Sequence, residues 1–234
     1  MRWFFTTAIT TTTATITGDE NKHLNLVMRA KPGDRVTCFN GNGLVAECVV
    51  ENTSKAQTLL KVEQIATETQ PSTKLVLAAA AIKGDRQDTL IRQATELGVT
   101  NIVLLESERS EVKFGGTKKD KIERQLISHA KQCHRAFLPQ IEFSTLKEFL
   151  PKCKKYVILC GSLTTKATIL QQNQQKIKNN NVVALIGPEG GFSEEEEKQI
   201  DSYGAIRLSL GKNVLRADTA ASMLVSLVKA IKEW

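Results

Sequence analysis

Hydrophobic and polar positions follow two different rhythms along the chain. Over residues 3–7, a threonine-rich stretch to Thr17, and residues 35–39, 44–51 and 59–65, apolar side chains come in short, partly alternating runs. That pattern predicts half-buried β-strands. Asn40-Gly41-Asn42-Gly43 between two of these runs is a hairpin signal, and Lys31-Pro32-Gly33-Asp34 marks another turn. Only residues 23–29, where Leu24 and Met28 share a face, predict a helix here.

After the polar stretch Thr67-Glu68-Thr69-Gln70-Pro71-Ser72 the apolar runs become continuous, over residues 74–82, 102–105, 156–160 and 182–186. Segments of helical period separate them, which predicts βαβ units and a parallel sheet. Asp85 or Asp88 can cap a helix to Leu97, with Gly98 ending it. Expected are a small β module over residues 1–70 and an α/β domain over 73–234.

Two glycine-broken runs follow strands and precede helices. In Leu185-Ile186-Gly187-Pro188-Glu189-Gly190-Gly191-Phe192 the glycines allow a close approach to a ligand, and Ser193 stands three residues before Glu196, the spacing of a capping box. In Leu208-Ser209-Leu210-Gly211-Lys212-Asn213-Val214-Leu215-Arg216-Ala217-Asp218-Thr219-Ala220-Ala221 a strand over 206–210 breaks at Gly211, and Asp218 or Thr219 can cap a closing helix. Ala220, Met223, Leu224, Leu227, Val228 and Ile231 give that helix an apolar stripe, suited to a core or to self-association. We read the two runs as walls of one ligand site, with Gly161-Ser162 at the end of the 156–160 strand as a third. Helix N-termini usually suit phosphate, but Glu194 to Glu197 would repel an anion there, and neither GxGxxG nor a Walker sequence is present. A neutral or cationic ligand held by backbone groups fits better, and S-adenosylmethionine, a sulfonium, answers that description. A plain strand-to-helix turn is the alternative for the first run alone.

The net charge of +7 sharpens this picture, because acids and bases balance over residues 1–72 and the whole excess lies beyond. A polyanion near the chemistry is one implication, general solubility the other. Between Lys113 and Arg135, Lys113, Lys118, Lys119, Lys121, Arg124, Lys131 and Arg135 face only Asp120 and Glu123, while Ile122, Leu126, Ala130 and Cys133 give the same helix an apolar side. Five cysteines without CxxC spacing suit reduced thiols and suggest no metal site. No run of eighteen apolar residues occurs, and the Met1-Arg2-Trp3-Phe4-Phe5 start passes straight into threonines, so no membrane span and a cytoplasmic location are expected.

The run from Ile186 to Glu196, with Leu210-Gly211 and Val214-Leu215-Arg216-Ala217-Asp218-Thr219-Ala220, resembles the bacterial small-subunit ribosomal RNA methyltransferase E family of the SPOUT superfamily. Further matches are Leu26-Val27-Met28-Arg29, Pro32-Gly33-Asp34, Phe39-Asn40-Gly41, Ile82-Lys83-Gly84-Asp85, Glu96-Leu97-Gly98-Val99, Ser107-Glu108-Arg109-Ser110, Val112-Lys113 and Gln132-Cys133-His134-Arg135. Four positions depart from the family pattern, the mildest being Met28 where leucine is usual, a change that keeps the cation at Arg29. An acid is usual where Lys131 stands, a small residue where His134 stands, and glutamate where Asp218 stands.

The resemblance implies a PUA-like β-barrel domain followed by a SPOUT-type α/β methyltransferase domain with a trefoil knot, acting as a homodimer. The implied activity is transfer of a methyl group from S-adenosyl-L-methionine to N3 of a uridine in 16S rRNA of the small ribosomal subunit. It places the cofactor against Leu159, Gly161, Ile186, Gly187, Pro188, Glu189, Gly190, Leu208, Leu210, Gly211, Val214, Leu215, Ala217, Thr219 and Ala220. Arg216 would stabilise charge on the uracil, with Glu189 or Asp218 as candidate base, although either acid can be purely structural. RNA contacts would fall on Arg2, Arg29, Lys83, Arg109, Lys113 and Arg135; Arg29 and Lys83 can equally be solvated cations. Competing readings are a related enzyme acting on tRNA or ribose 2′-hydroxyls, and a non-catalytic rRNA-binding assembly factor.

Overall fold

The computed structural model of the chain describes residues 2–110, 112, 119–162 and 173–232. Lys113, Lys118 and the first part of the helix expected over 166–178 lie outside the described residues. Contacts divide the chain into two units, one of residues 1–70 with 127–138 and one of 71–126 with 139–234.

The first unit is a five-stranded sheet of β1 (Trp3–Phe5), β2 (Thr13–Thr17), β3 (Arg35–Phe39), β4 (Leu44–Thr53) and β5 (Gln57–Thr67), in the order β1-β3-β4-β5-β2. The β3–β4 hairpin turns at the expected Asn-Gly sequence, pairing Phe39 with Val45. Phe4, Ile16, Leu24, Val36, Cys38, Val50 and Leu60 form its core. The helical segment starts earlier than its apolar spacing suggests, as α1 (Gly18–Lys22), and continues into a wide π-type turn over His23–Val27, closed by the Met28 N–H donating to the His23 carbonyl at 3.1 Å. Polar anchoring explains the shift. Buried Asn21 donates to the carbonyls of Ser54 (3.1 Å) and Lys55 (3.2 Å), while the Thr58 hydroxyl (2.7 Å) and the Asn25 amide (3.0 Å) donate to its Oδ1. Hydrophobic periodicity is blind to such a clasp.

The second unit is a three-layer α/β sandwich. Its strands are β6 (Leu75–Ala80), β7 (Asn101–Glu106), β8 (Gln140–Thr145), β9 (Val157–Gly161), β10 (Val182–Ile186) and β11 (Ile206–Leu208), all parallel in the order β11-β9-β10-β6-β7-β8. One face packs on α2 (Asp85–Glu96), the first part of α3 (Lys119–Cys133), α5 (Gln174–Lys178) and α7 (Ala217–Lys232); the other on α4 (Leu146–Phe149) and α6 (Glu194–Ser202). Burial on both faces is why β6, β7, β9 and β10 read as unbroken apolar runs. From Ile127 onward, α3 and the segment to Leu138 group with the first unit, where Lys131 donates to both oxygens of Glu20 at 2.8 and 2.9 Å.

Several sequence expectations shift. Helix α2 has Gly84 rather than an aspartate at its N-cap. Its φ of 68° with ψ of −146° is open to glycine alone, so Asp85 and Asp88 sit inside the first turn and favour the helix dipole instead. Helix α7 likewise begins at Ala217, so Asp218 and Thr219 are in its first turn rather than at its cap. β11 ends at Leu208, two residues early. The edge strand β8 carries no clear alternation and was not anticipated. In α7, Leu224 and Val228 from the expected stripe are buried, together with Ala221 and Val225, while Met223 stays 39% exposed.

Replacing Asn21 with alanine should lower stability by about 2 kcal/mol, read from urea unfolding, because buried partners are left unsatisfied. Burial raises the thiols of Cys153 and Cys160 from 9.0 to about 12. Below pH 9 their contribution is complete; as pH rises through 9 toward 12 the unfolded chain loses protons that the folded chain keeps, so stability falls. The urea midpoint should therefore drop above pH 9, and less steeply for Cys160→Ala.

Candidate active site

The carboxyl ends of β9 and β10 and the chain after β11 enclose a cavity of about 270 Å³. Its walls are Gly161 and Ser162, Ile186 to Glu189, Gly191 and Phe192 of the next loop, Glu197, Leu210, Asn213 to Leu215, and Ala217 and Ala220 of α7. Two glycines make room for it. A Cβ on Gly161 would stand 3.0 Å from Ile186 Cδ1 and 3.2 Å from Leu210 Cδ1, and one on Gly187 would meet the Phe192 ring at 3.0 Å.

The loop after β10 is braced on every side. The Gly191 N–H donates to the Pro188 carbonyl at 2.8 Å, closing the turn. Ser193 and Glu196 form the anticipated capping box, the Ser193 N–H donating to Glu196 Oε2 at 2.9 Å, while Glu196 Oε1 accepts the Glu108 N–H at 2.8 Å. Arg109 donates to the carbonyls of Gly190 (2.9 Å) and Phe192 (3.3 Å). Arg86 pairs with Glu189, and with Lys83, Arg109 and Pro188 lines a smaller recess beside the loop.

Among the described lining residues of the main cavity, the only charged side chains are Glu189 and Glu197. Glu197 is held by Arg207, whose guanidinium also donates to Asp201 Oδ1 at 2.7 and 2.9 Å and to the Glu197 carbonyl at 3.1 Å. Arg207 further touches the Cys160 thiol at 3.5 Å, and burial keeps that thiol protonated despite the cation. The cavity is thus apolar with an acidic tint. Asp218 stands in the adjoining first turn of α7 with its Oδ1 buried and without a hydrogen-bond partner among the described residues.

Residues 68–229 match the family described as RNA methyltransferase domain, and residues 16–63 match the RNA methyltransferase PUA domain. Ribosomal RNA small subunit methyltransferase E of Mesomycoplasma hyopneumoniae is 32% identical over 202 residues, covering 84% of this chain and 85% of that protein. The chain belongs to the ribosomal RNA small subunit methyltransferase E family. The Neisseria gonorrhoeae member of that family, solved with bound S-adenosylmethionine, superposes with a TM-score of 0.89 at 25% identity over 98% of this chain and 97% of its own. A Legionella pneumophila protein described as a methyltransferase, also solved with S-adenosylmethionine, reaches 0.86 at 26% identity over 98% and 96%. The PUA-like module followed by a parallel α/β domain is the expected SPOUT-type arrangement of the family.

Measured against the family expectation, the cavity gathers Gly161, Ile186, Gly187, Pro188, Glu189, Leu210, Val214, Leu215, Ala217 and Ala220. Leu159 and Leu208 lie fully buried in the sheet, and Gly190, Gly211 and Thr219 do not line the space. Ser162 lines it as the expected third wall does, and Gly191, Phe192, Asn213 and Glu197 line it without having been named as individual ligand contacts. Glu197 was legible only as part of an acidic helix start, since its aim depends on Arg207. Arg216 is exposed, its carbonyl accepting the Ala220 N–H at 2.8 Å. Of the expected RNA contacts, Arg2 and Arg29 are exposed, Arg109 is committed to the loop, and Arg135 is half-buried, with burial lowering it to about 10.

A Gly187→Ala substitution should push Phe192 out of place and shrink the cavity. We expect a stability loss of about 1–3 kcal/mol by thermal unfolding, with the ligand affinity falling further than stability does.

Proposed function

We propose that this chain methylates N3 of a uridine in 16S rRNA of the small ribosomal subunit, with S-adenosyl-L-methionine as methyl donor. The observation that carries the reading is the glycine-cradled cavity whose only charged lining side chains, among the described residues, are carboxylates. Such a space suits an apolar, positively charged ligand and disfavours a phosphate. Ile186, Leu210, Leu215 and Ala220 offer apolar surface, the loop backbone around Gly187 offers polar groups, and Glu189 and Glu197 offer negative charge. The sulfonium donor, when bound, supplies an electrophilic methyl group. The relatives named above support both the donor and the ribosomal substrate.

N3 of uracil carries a proton that must leave as the new bond forms, and the uracil oxygens gather negative charge meanwhile. Arg216, exposed at the start of α7, is the cation placed to stabilise that charge. Asp218 is the better base candidate, because its Oδ1 has no donor among the described residues while Glu189 is tied to Arg86. A buried acceptor left unpaired costs stability, a burden retained where function needs it. Arg2 and Arg29 on the PUA-like unit are the proposed RNA contacts there, joined by Lys83, Lys113 and Arg135, with Arg109 chiefly holding the loop. We further propose a trefoil-knotted catalytic domain within residues 73–234, a PUA-like domain over 1–70 that residues 127–138 complete, a cytoplasmic location, and a homodimer formed through the exposed flank of α7 around Met223.

Calorimetric titration should show S-adenosylmethionine binding; no heat would leave only a non-catalytic RNA-binding role. Arg216→Ala should cut methylation at least about 100-fold with donor affinity nearly unchanged. Asp218→Asn should do the same without lowering the melting temperature. Mass spectrometry of rRNA nucleosides from a deletion strain should show loss of N3-methyluridine; loss of a ribose-methylated or tRNA nucleoside instead would refute the N3 assignment.

A further inference from the structure

Among the described residues, two non-glycine positions have left-handed backbone, Arg29 at φ 52° and His134 at φ 55°, and both belong to the first unit. His134 follows directly on the end of α3, where the Arg135 N–H turns back to the Ala130 carbonyl at 2.9 Å. Glycine enters this conformation freely, whereas a residue with a Cβ is strained there. Strain that persists at an exposed position points to a use for the side chain rather than for the turn.

The use is visible in the ring's surroundings. The His134 imidazole lies over the Trp3 indole, with centroids 5.3 Å apart and planes within 15°. Trp3 also packs against the buried Phe39 ring, at 5.3 Å between ring centroids. His134 itself is exposed, which leaves the stack open on its outer side. Arg2, next to Trp3 on edge strand β1, is exposed and touches the Met28 sulfur, and Arg29 follows Met28. Neither arginine has an acidic partner among the described residues. An open aromatic ring beside unneutralised guanidinium groups is the surface on which unpaired nucleic acid is held, the ring taking a base and the cations the backbone.

We propose that His134, backed by Trp3, is a stacking platform for one unpaired nucleobase of the bound RNA. The proposal deepens the rRNA reading and rests on it. Its specificity is for single-stranded RNA, because a paired base cannot offer its face to the ring.

The test separates the ring from the turn. His134→Gly and His134→Asn both suit left-handed backbone but remove the aromatic face, so both variants should melt at or above the wild-type temperature. Binding is followed by anisotropy with a labelled single-stranded RNA carrying a fluorescent adenine analogue, against a duplex of the same length. Affinity of both variants for the single strand should fall about ten-fold, the usual effect of losing one base stack, and analogue quenching should disappear. His134→Phe should retain both. Equal single-strand affinity for wild type and His134→Gly would overturn the platform alone. Wild-type protein that bound neither RNA would overturn the platform together with the rRNA reading.

Discussion

Covering both faces of an all-parallel sheet leaves only the strand ends for meeting a ligand. The middle strand β10 is buried along its whole length, so the chain can present functional groups only once it has left the sheet at Gly187. There the Phe192 ring lies where any side chain on residue 187 would stand, and the same contact gives the turn its shape. The cavity, the acidic helix start and the brace from Arg109 all follow from that one exit. Neighbouring β9 repeats the solution on a smaller scale at Gly161.

Electrostatics divides the molecule along similar lines. The net charge is +7, yet no cation lines the main cavity among the described residues. Arginines close to it are spent on protein groups: Arg86 on Glu189, Arg109 on loop carbonyls, Arg207 on Glu197 and Asp201. Positive charge free to meet a polyanion therefore lies outside the pocket, as at Arg2, Arg29 and Arg216. A donor that is cationic and a substrate that is polyanionic need such a separation, since a single field could not favour both.

How far the sequence was legible depended on the range of each interaction. The Ser193–Glu196 capping box is written in four consecutive residues, and it stands as expected. Continuous apolar runs announced β6, β7, β9 and β10 because burial on both faces forbids alternation. What failed to show was set by partners far along the chain. The start of α1 depends on Asn21 reaching Ser54, Lys55 and Thr58, and the inward role of Glu197 depends on Arg207. The Gly84 cap was missed for another reason, since two nearby aspartates were the stronger textual signal while the backbone angle made them unnecessary.

Residues 127–138 complete the first unit although more than fifty residues of the other unit come before them in the chain. Lys131 neutralises Glu20, and Phe137 occupies the space above Gly43. The PUA-like module is consequently not a contiguous cassette. Recombination that moved only its N-terminal coding segment would deliver an acid without its counter-ion and a hairpin without its lid, so the two parts are bound to be inherited together.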